Sequence, residues 1–452
     1  MNVSFFQELL SSISAKGRQL LDLSKPQGEP QSIDSLSQTL LSGRGEASGV
    51  AIAQQILEIY RGLQRKARID FFRSVTAAFA PNEAVVKAAA AAYIAHPSAE
   101  TLSRLTAAVE PPRQEFLRRL NAAPGATAQI VRMRADLLDL LKDAPDLADL
   151  DRDFTHLLSS WFNRGFLVLR RIDWSTSASI LEKLMEYEAV HQMRGWADLR
   201  RRLDLADRRC YAFFHPSMVD DPLIFVEVAL DKETPASIQK VLEQETRPPA
   251  IAGDPTTAVF YSISNCQKGL AGISFGNFLI KQVAQDLSAD IPSLKTFVTL
   301  SPIPGFRKWF ERARDGHELD YLNAEQRELL SALDDFSWAQ DEEDAEALKG
   351  LMLSIAAQYF FIVKNPAGRP IDPVARFHLG NGARLERINW LGDVSEKGMR
   401  ESHGLMVNYR YDLKDIERNH EAYANTGEIV ASKAVRSLLL APEKSKALVP
   451  VS

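Results

Sequence analysis

Cysteine is nearly absent from the 452-residue sequence: Cys210 and Cys266 are its two thiols, far apart and outside any CxxC pattern. That excludes a disulfide framework and a zinc ribbon, and suits a reducing compartment. An excess of positive charge is missing too. With 54 Lys and Arg against 59 Asp and Glu, the net charge is −5 and the pI near 6.0. The basic field of a nucleic-acid binder is therefore lacking, and any anion site has to be local. No uninterrupted apolar run approaches the roughly 18 residues of a membrane span. The opening residues place Phe5, Phe6, Leu9, Leu10 and Ile13 at helical spacing, but no basic segment precedes a continuous apolar core and no A-x-A site follows. Lys16 and Arg18 suit an amphipathic organelle-targeting segment, whereas Glu8 and Asp22 oppose one; the cytoplasm is the expected location. The histidines form no HExxH or HxH pair, so no metal site is expected. There is no GxSxG elbow, no GxxxxGK(S/T) and no clean GxGxxG, which removes the usual hydrolase, P-loop and dinucleotide signatures.

What remains is an ordinary globular composition, 45% hydrophobic and 25% charged, on a chain too long for one core. Two domains are expected, 1–160 and 161–452. Residues 24–50 read as a connecting loop with one short helix at 33–41. From Ala51 to Phe162 the apolar spacing is helical almost throughout, with Pro81, Pro97, Pro111, Pro112 and Pro124 as stops and starts. This all-α bundle carries no clustered nucleophile, base or metal set, so packing and self-association are its expected roles.

Near Trp161 the texture changes to strands alternating with helices. Residues 166–172, 210–215, 223–230, 257–264, 296–300, 385–390 and 405–411 read as strands. Ser179 and Glu182 have the spacing of a capping box opening a helix. The arginines at 194, 200, 201, 202, 208 and 209 read as an ion-paired or solvated helix face, or as a phosphate patch. Asp341, Glu342, Glu343, Asp344 and Glu346 read as a solvated face. Residues 368–393 read as a loop, 428–440 as a last helix, and 444–452 as a loose tail.

The chain is organised around 257–306: strand, glycine turn, helix, strand, then the loop SPIPGF. A strand feeding a Gly-rich turn and a helix N-terminus offers free N–H groups and the positive end of a helix dipole, which suits a pyrophosphate. Gln267, Gly269, Gly272 and Gly276 make this turn. It is similar to motif A of the GNAT acyl-CoA transferase superfamily, in which a Q/R-x-x-G-x-G/A turn cradles the pyrophosphate of coenzyme A, with the glycines offset here.

The wider set YSISNCQKGLAGISFGNFLIK, TLSPIPGF, DPVARFHLGNGARLERINWLGD and GLMVNYRY, in that order, resembles malonyl-CoA decarboxylase over 161–411. The resemblance implies an α+β multidomain fold, with an N-terminal all-α bundle that takes part in oligomer assembly and a GNAT-like mixed α/β catalytic domain. It implies a homotetramer, malonyl-CoA as substrate, acetyl-CoA and carbon dioxide as products, and a setting in fatty acid metabolism. On the residues alone, His378 stands on a loop and suits a hydrogen-bonded core, while Ser301 ends a strand and is stiffened by Pro302. The resemblance makes Ser301 the serine of SPIPGF that polarises the malonyl group, and His378 of FHLGNGA the proton donor to the enolate. Substrate-binding candidates are the backbone at Ala271, Gly272, Ile273, Ser274, Phe275, Gly276 and Asn277, together with Ser301, Asn381 and Tyr409; Asn389 is a further supporting candidate. Some relatives carry a glutamate where Ser274 stands, so an acid role there does not transfer. No cofactor is expected, because the thioester carbonyl itself accepts the electron pair released with carbon dioxide. A GNAT-type N-acyltransferase and a non-catalytic malonyl-CoA sensor share the coenzyme A turn and remain alternatives.

Overall fold

The computed structural model describes residues 32–42, 45–243, 254–273, 279–316, 318–334 and 336–439. The opening amphipathic stretch, the turn positions Ser274, Phe275, Gly276 and Asn277, and the tail 444–452 lie outside them. By internal contacts the chain forms two compact units. One runs to Val168 and also includes Phe213–Leu223 and Asn265–Phe275; the other holds Leu169–Ala212, Ile224–Ser264 and the chain from Gly276. No helix among the described residues is long and apolar enough to cross a membrane.

The first unit is helical, as its periodicity predicts. Its helices are Ile33–Leu40, Glu46–Gly62, Arg65–Ala78, Glu83–Ala95, Ala99–Val109, Pro112–Leu120, Ala126–Leu140 and Ala148–Trp161. The second of these starts within the stretch read as a loop, with Gly45 at its N-cap. Prolines act as boundary residues here: Pro112 takes the first helical turn, where its missing N–H has no partner to lose. Apolar faces converge, and the Tyr60 ring meets Phe71 and Phe72 at 5.5 and 5.7 Å. The hairpin of Glu83–Ala95 and Ala99–Val109 buries none of its residues, and Ile94 is 77% exposed.

The second unit is built on an eight-stranded sheet of order β1-β2-β3-β4-β5-β8-β6, with β7 also paired to β8. The strands are β1 Val168–Ile172, β2 Arg208–Phe214, β3 Ile224–Asp231, β4 Thr257–Asn265, β5 Thr296–Thr299, β6 Ser301–Pro302, β7 Arg384–Asn389 and β8 Met406–Tyr411. β2 and β3 are buried almost throughout, as continuous apolar runs predict for central strands. β4 and β5 run parallel from Thr257↔Thr296 to Phe260↔Thr299. Beyond that point β4 continues to Asn265, whereas the other chain turns into β6 and pairs with β8 through Ser301↔Val407. The two strands therefore part just where Ser301 begins. Alternation then sorts the side chains. Val259, Tyr261, Val298, Leu300 and Met406 join one apolar cluster, and Thr299 and Ser301 face the opposite side.

Three local expectations need correction, and a fourth is refined. His378 lies not on a loop but in the helix Pro373–Gly380: Pro373 is its first residue, Asp372 caps it by accepting from the Ala375 N–H at 2.7 Å, and the glycines that suggested a loop mark its end. Gly427 likewise does not precede a helix. With φ of +73° it closes the helix Ile416–Thr426, and among the described residues beyond it only Lys433–Arg436 is helical. Ser179 opens no capping box, because the helix Ala178–Tyr187 starts one residue earlier and the Ser179 hydroxyl lies 2.9 Å from that of Ser177. The arginine cluster is ion-paired, but partly within the protein: Arg202 meets Glu227 at 2.9 Å and Arg208 meets Asp207 at 2.7 Å, both arginines being buried.

Candidate active site

Ser301 and His378 meet. Oγ of Ser301 is 3.1 Å from Nε2 of His378, although 77 residues separate them in sequence. Two further side chains complete a row that the sequence reading missed. Ser301 donates to Oγ1 of Thr299 at 2.8 Å, and Nδ1 of His378 lies 2.8 Å from the Tyr411 hydroxyl. The backbone N–H of Tyr409 also donates to Oγ1 of Thr299, at 3.1 Å. With the Ser301 proton directed at Thr299, Ser301 Oγ accepts from Nε2–H, and Nδ1 accepts from the Tyr411 hydroxyl. Every ring nitrogen thus has a partner, and the imidazole is held as one tautomer. The Tyr409 ring stacks on the imidazole with centroids 4.5 Å apart. Burial of His378 lowers its pKa from 6.5 to about 3, so the ring is neutral near pH 7.

Thr299 was legible in principle, since a residue two before Ser301 in a strand shares its face. Tyr411 was not, because it lies 33 positions beyond His378, with a strand and a helix between. The other candidates serve the frame around the row. Asn381 donates through Nδ2 to the Phe377 carbonyl at 2.6 Å, ending the helix that carries His378. Asn389 donates to Oδ1 of Asn408 at 2.9 Å on β8.

The glycine turn belongs to the first unit. There Arg134, buried in the helix Ala126–Leu140, donates from one nitrogen to the carbonyls of Gly269 and Ala271 at 2.8 and 2.9 Å. Its other nitrogens bind Asp151 and Thr155. Gly269 has no alternative at its position: a Cβ there would stand 1.8 Å from the carbonyl oxygen of Val131. Gly272 is needed for its backbone instead, at φ of +77°. The N–H groups of Ala271 and Ile273 close the turn itself, donating to Lys268 and Leu270 at 3.0 Å each. Of the backbone cradle expected at 271–277, those two are therefore committed internally, and Ser274, Phe275, Gly276 and Asn277 lie outside the described residues. Among the described residues, no three His, Cys, Asp or Glu side chains are grouped so as to hold a metal ion.

Comparison with known proteins identifies the family of the chain. A family model for the malonyl-CoA decarboxylase C-terminal domain matches residues 165–449, and one for the N-terminal domain of that family matches 79–162. The malonyl-CoA decarboxylase crystal structure from Rhodopseudomonas palustris is 55% identical, with a TM-score of 0.86, covering 90% of this chain and 100% of that one. That from Agrobacterium vitis is 54% identical with a TM-score of 0.85, covering 90% and 99%. The mitochondrial malonyl-CoA decarboxylase of Anser anser anser is 37% identical over 73% of this chain and 69% of its own length. The chain belongs to the malonyl-CoA decarboxylase family.

Proposed function

We propose that the chain decarboxylates malonyl-CoA to acetyl-CoA and carbon dioxide, with Ser301 and His378 acting on the malonyl end. The bond from the α-carbon to the carboxylate breaks, its electron pair enters the thioester carbonyl as an enolate, and carbon dioxide leaves. A proton then returns to carbon. No metal or organic cofactor is required, because the thioester is the electron sink. The protein supplies position and fixed dipoles. Ser301 turns its proton from Thr299 to the malonyl group and so releases the Nε2–H of His378, which goes to the enolate carbon; the Tyr411 hydroxyl passes its proton to Nδ1 as that happens, and a solvent proton returns to Tyr411 to close the cycle. The turn through Gly272 is assigned to the pyrophosphate, so that binding remote from the reacting carbon orients the substrate. The observation that carries this reading is the continuous row Thr299–Ser301–His378–Tyr411, buried on one face of the sheet.

The test is formation of acetyl-CoA from malonyl-CoA by the purified chain with a chelator present and no metal added. Turnover supports the reading; binding of malonyl-CoA without turnover would overturn it. Tyr411→Phe removes one hydrogen bond and one proton source while keeping the ring. It is expected to lower kcat about tenfold with KM unchanged. An equal loss in KM would instead make Tyr411 part of the binding surface.

We assign self-association into a homotetramer to the helical unit, on the strength of the unburied hairpin and its exposed Val85, Ile94, Leu102 and Val109. The cytoplasm is the assigned location, because Cys210 and Cys266 are both buried and in no disulfide, which suits a reducing compartment; the names of vertebrate relatives place those proteins in mitochondria. Fatty acid metabolism is the assigned setting.

A further inference from the structure

The second unit contains a cavity of about 660 Å³ that the decarboxylation chemistry does not use. It opens on the sheet face that carries Tyr261, opposite the face of Thr299 and Ser301. Its volume is that of a small-molecule site. Six cationic side chains line it, Arg194, Arg201, Arg202, Arg208, Lys397 and Arg400, against four acidic ones, although the chain as a whole carries a net charge of −5.

Two polar atoms of the lining have no hydrogen-bond partner among the described residues: Nε2 of His191 and the hydroxyl of Tyr261. The residues are only 9% and 1% exposed, so neither group is compensated by open solvent. His191 is not there by slack packing. Its N–H donates to Glu188 at 2.7 Å, and the same carboxylate accepts from Ser262 of β4 at 2.8 Å, so the cavity wall is tied to the strand. Two of the cations are also fixed. Arg202 is set by Glu227 and the His191 carbonyl, and Arg208 by Asp207 and the Val241 carbonyl. A guanidinium has five donors, so these bonds orient the forks without exhausting them.

We infer that this cavity is a binding site for a multivalent oxyanion, a phosphate ester or a polycarboxylate, separate from the site that takes coenzyme A. The ligand supplies the missing partners for His191 and Tyr261, and the arginine forks neutralise its charge.

The test is calorimetric titration of the full chain, saturated with coenzyme A, with pyrophosphate and in a separate arm with citrate. One equivalent of either anion is expected to bind, and the tighter of the two identifies the phosphate or carboxylate class. Arg194→Glu is expected to weaken that binding at least about tenfold, and Tyr261→Phe, which removes a single unpaired oxygen, about fivefold. Tyr261→Phe should retain decarboxylation, which shows that it is folded. Loss of all anion binding when coenzyme A is present, or equal affinity in the parent and both variants, would overturn the assignment.

Discussion

His378→Asn is expected to lower kcat for malonyl-CoA at least about 100-fold with little change in KM, the range in which positioned proton transfer contributes. The imidazole touches Ser301 through one nitrogen and Tyr411 through the other, at 3.1 and 2.8 Å, and asparagine cannot span both contacts. Ser301→Ala should cost about the same, because it removes both the hydroxyl that turns from Thr299 to the malonyl group and the acceptor that holds the His378 Nε2–H. Because the residues form one row, the double variant should be hardly slower than either single one. A product of the two losses would show that they act independently, and unaltered turnover in His378→Asn would remove the residue from the proton path.

The electrostatics add a second signature to the same variant. In the folded protein the His378 pKa is depressed from 6.5 to about 3 by burial, so the unfolded chain binds a proton there that the folded chain refuses. Unfolding takes up protons between those two values. The contribution to stability is therefore whole above pH 6.5 and is lost as pH falls towards 3, by about 1.4 kcal/mol per pH unit. Urea midpoints of the parent should fall more steeply than those of His378→Asn as pH drops from 6.5 to 4. Nor should kcat/KM show an acid limb near 6.5, since the working imidazole is already neutral there.

Gly269→Ala is expected to destabilise the chain by about 3 kcal/mol and to weaken coenzyme A binding, through overpacking that has no route of relief. The new Cβ would lie 1.8 Å from the Val131 oxygen and 2.7 Å from its carbonyl carbon, which are backbone atoms of a helix and cannot rotate away. Gly272→Ala is the informative control. Its Cβ meets nothing within 4 Å, so it carries only the left-handed backbone strain at φ of +77°, about 1 kcal/mol. If both variants lost equal stability in urea, close approach to the helix would not be the reason for Gly269.

These two glycines show what was legible and what was not. A glycine-rich turn after a β-rich run was visible in the sequence, and so was the change from a period of two to helical spacing that follows it. The division of labour within the turn was not, because Val131 and Arg134 belong to a helix that no local rule links to residue 269. Ser301 and His378 stand out by their motifs, yet the prolines and glycines around His378 read as a loop where the chain forms a helix. Proline and glycine break a helix inside it and delimit one at its ends, so their meaning depends on which side of the boundary they stand.

By itself the sequence determined the elements whose signals are local. These are the helical first region, the buried central strands, the turn after β4, and the absence of metal, disulfide and nucleotide-loop motifs. Hydrophobic period and backbone stereochemistry act over a few residues, so they are written where they apply. Tertiary structure decided what depends on register. The parting of β4 and β5 after Phe260 and Thr299 puts Ser301 on β6, and pairing with β8 brings Tyr409 and Tyr411 to the same face as His378. A pleated strand turns each side chain to one face or the other, and register alone selects its neighbours across the sheet.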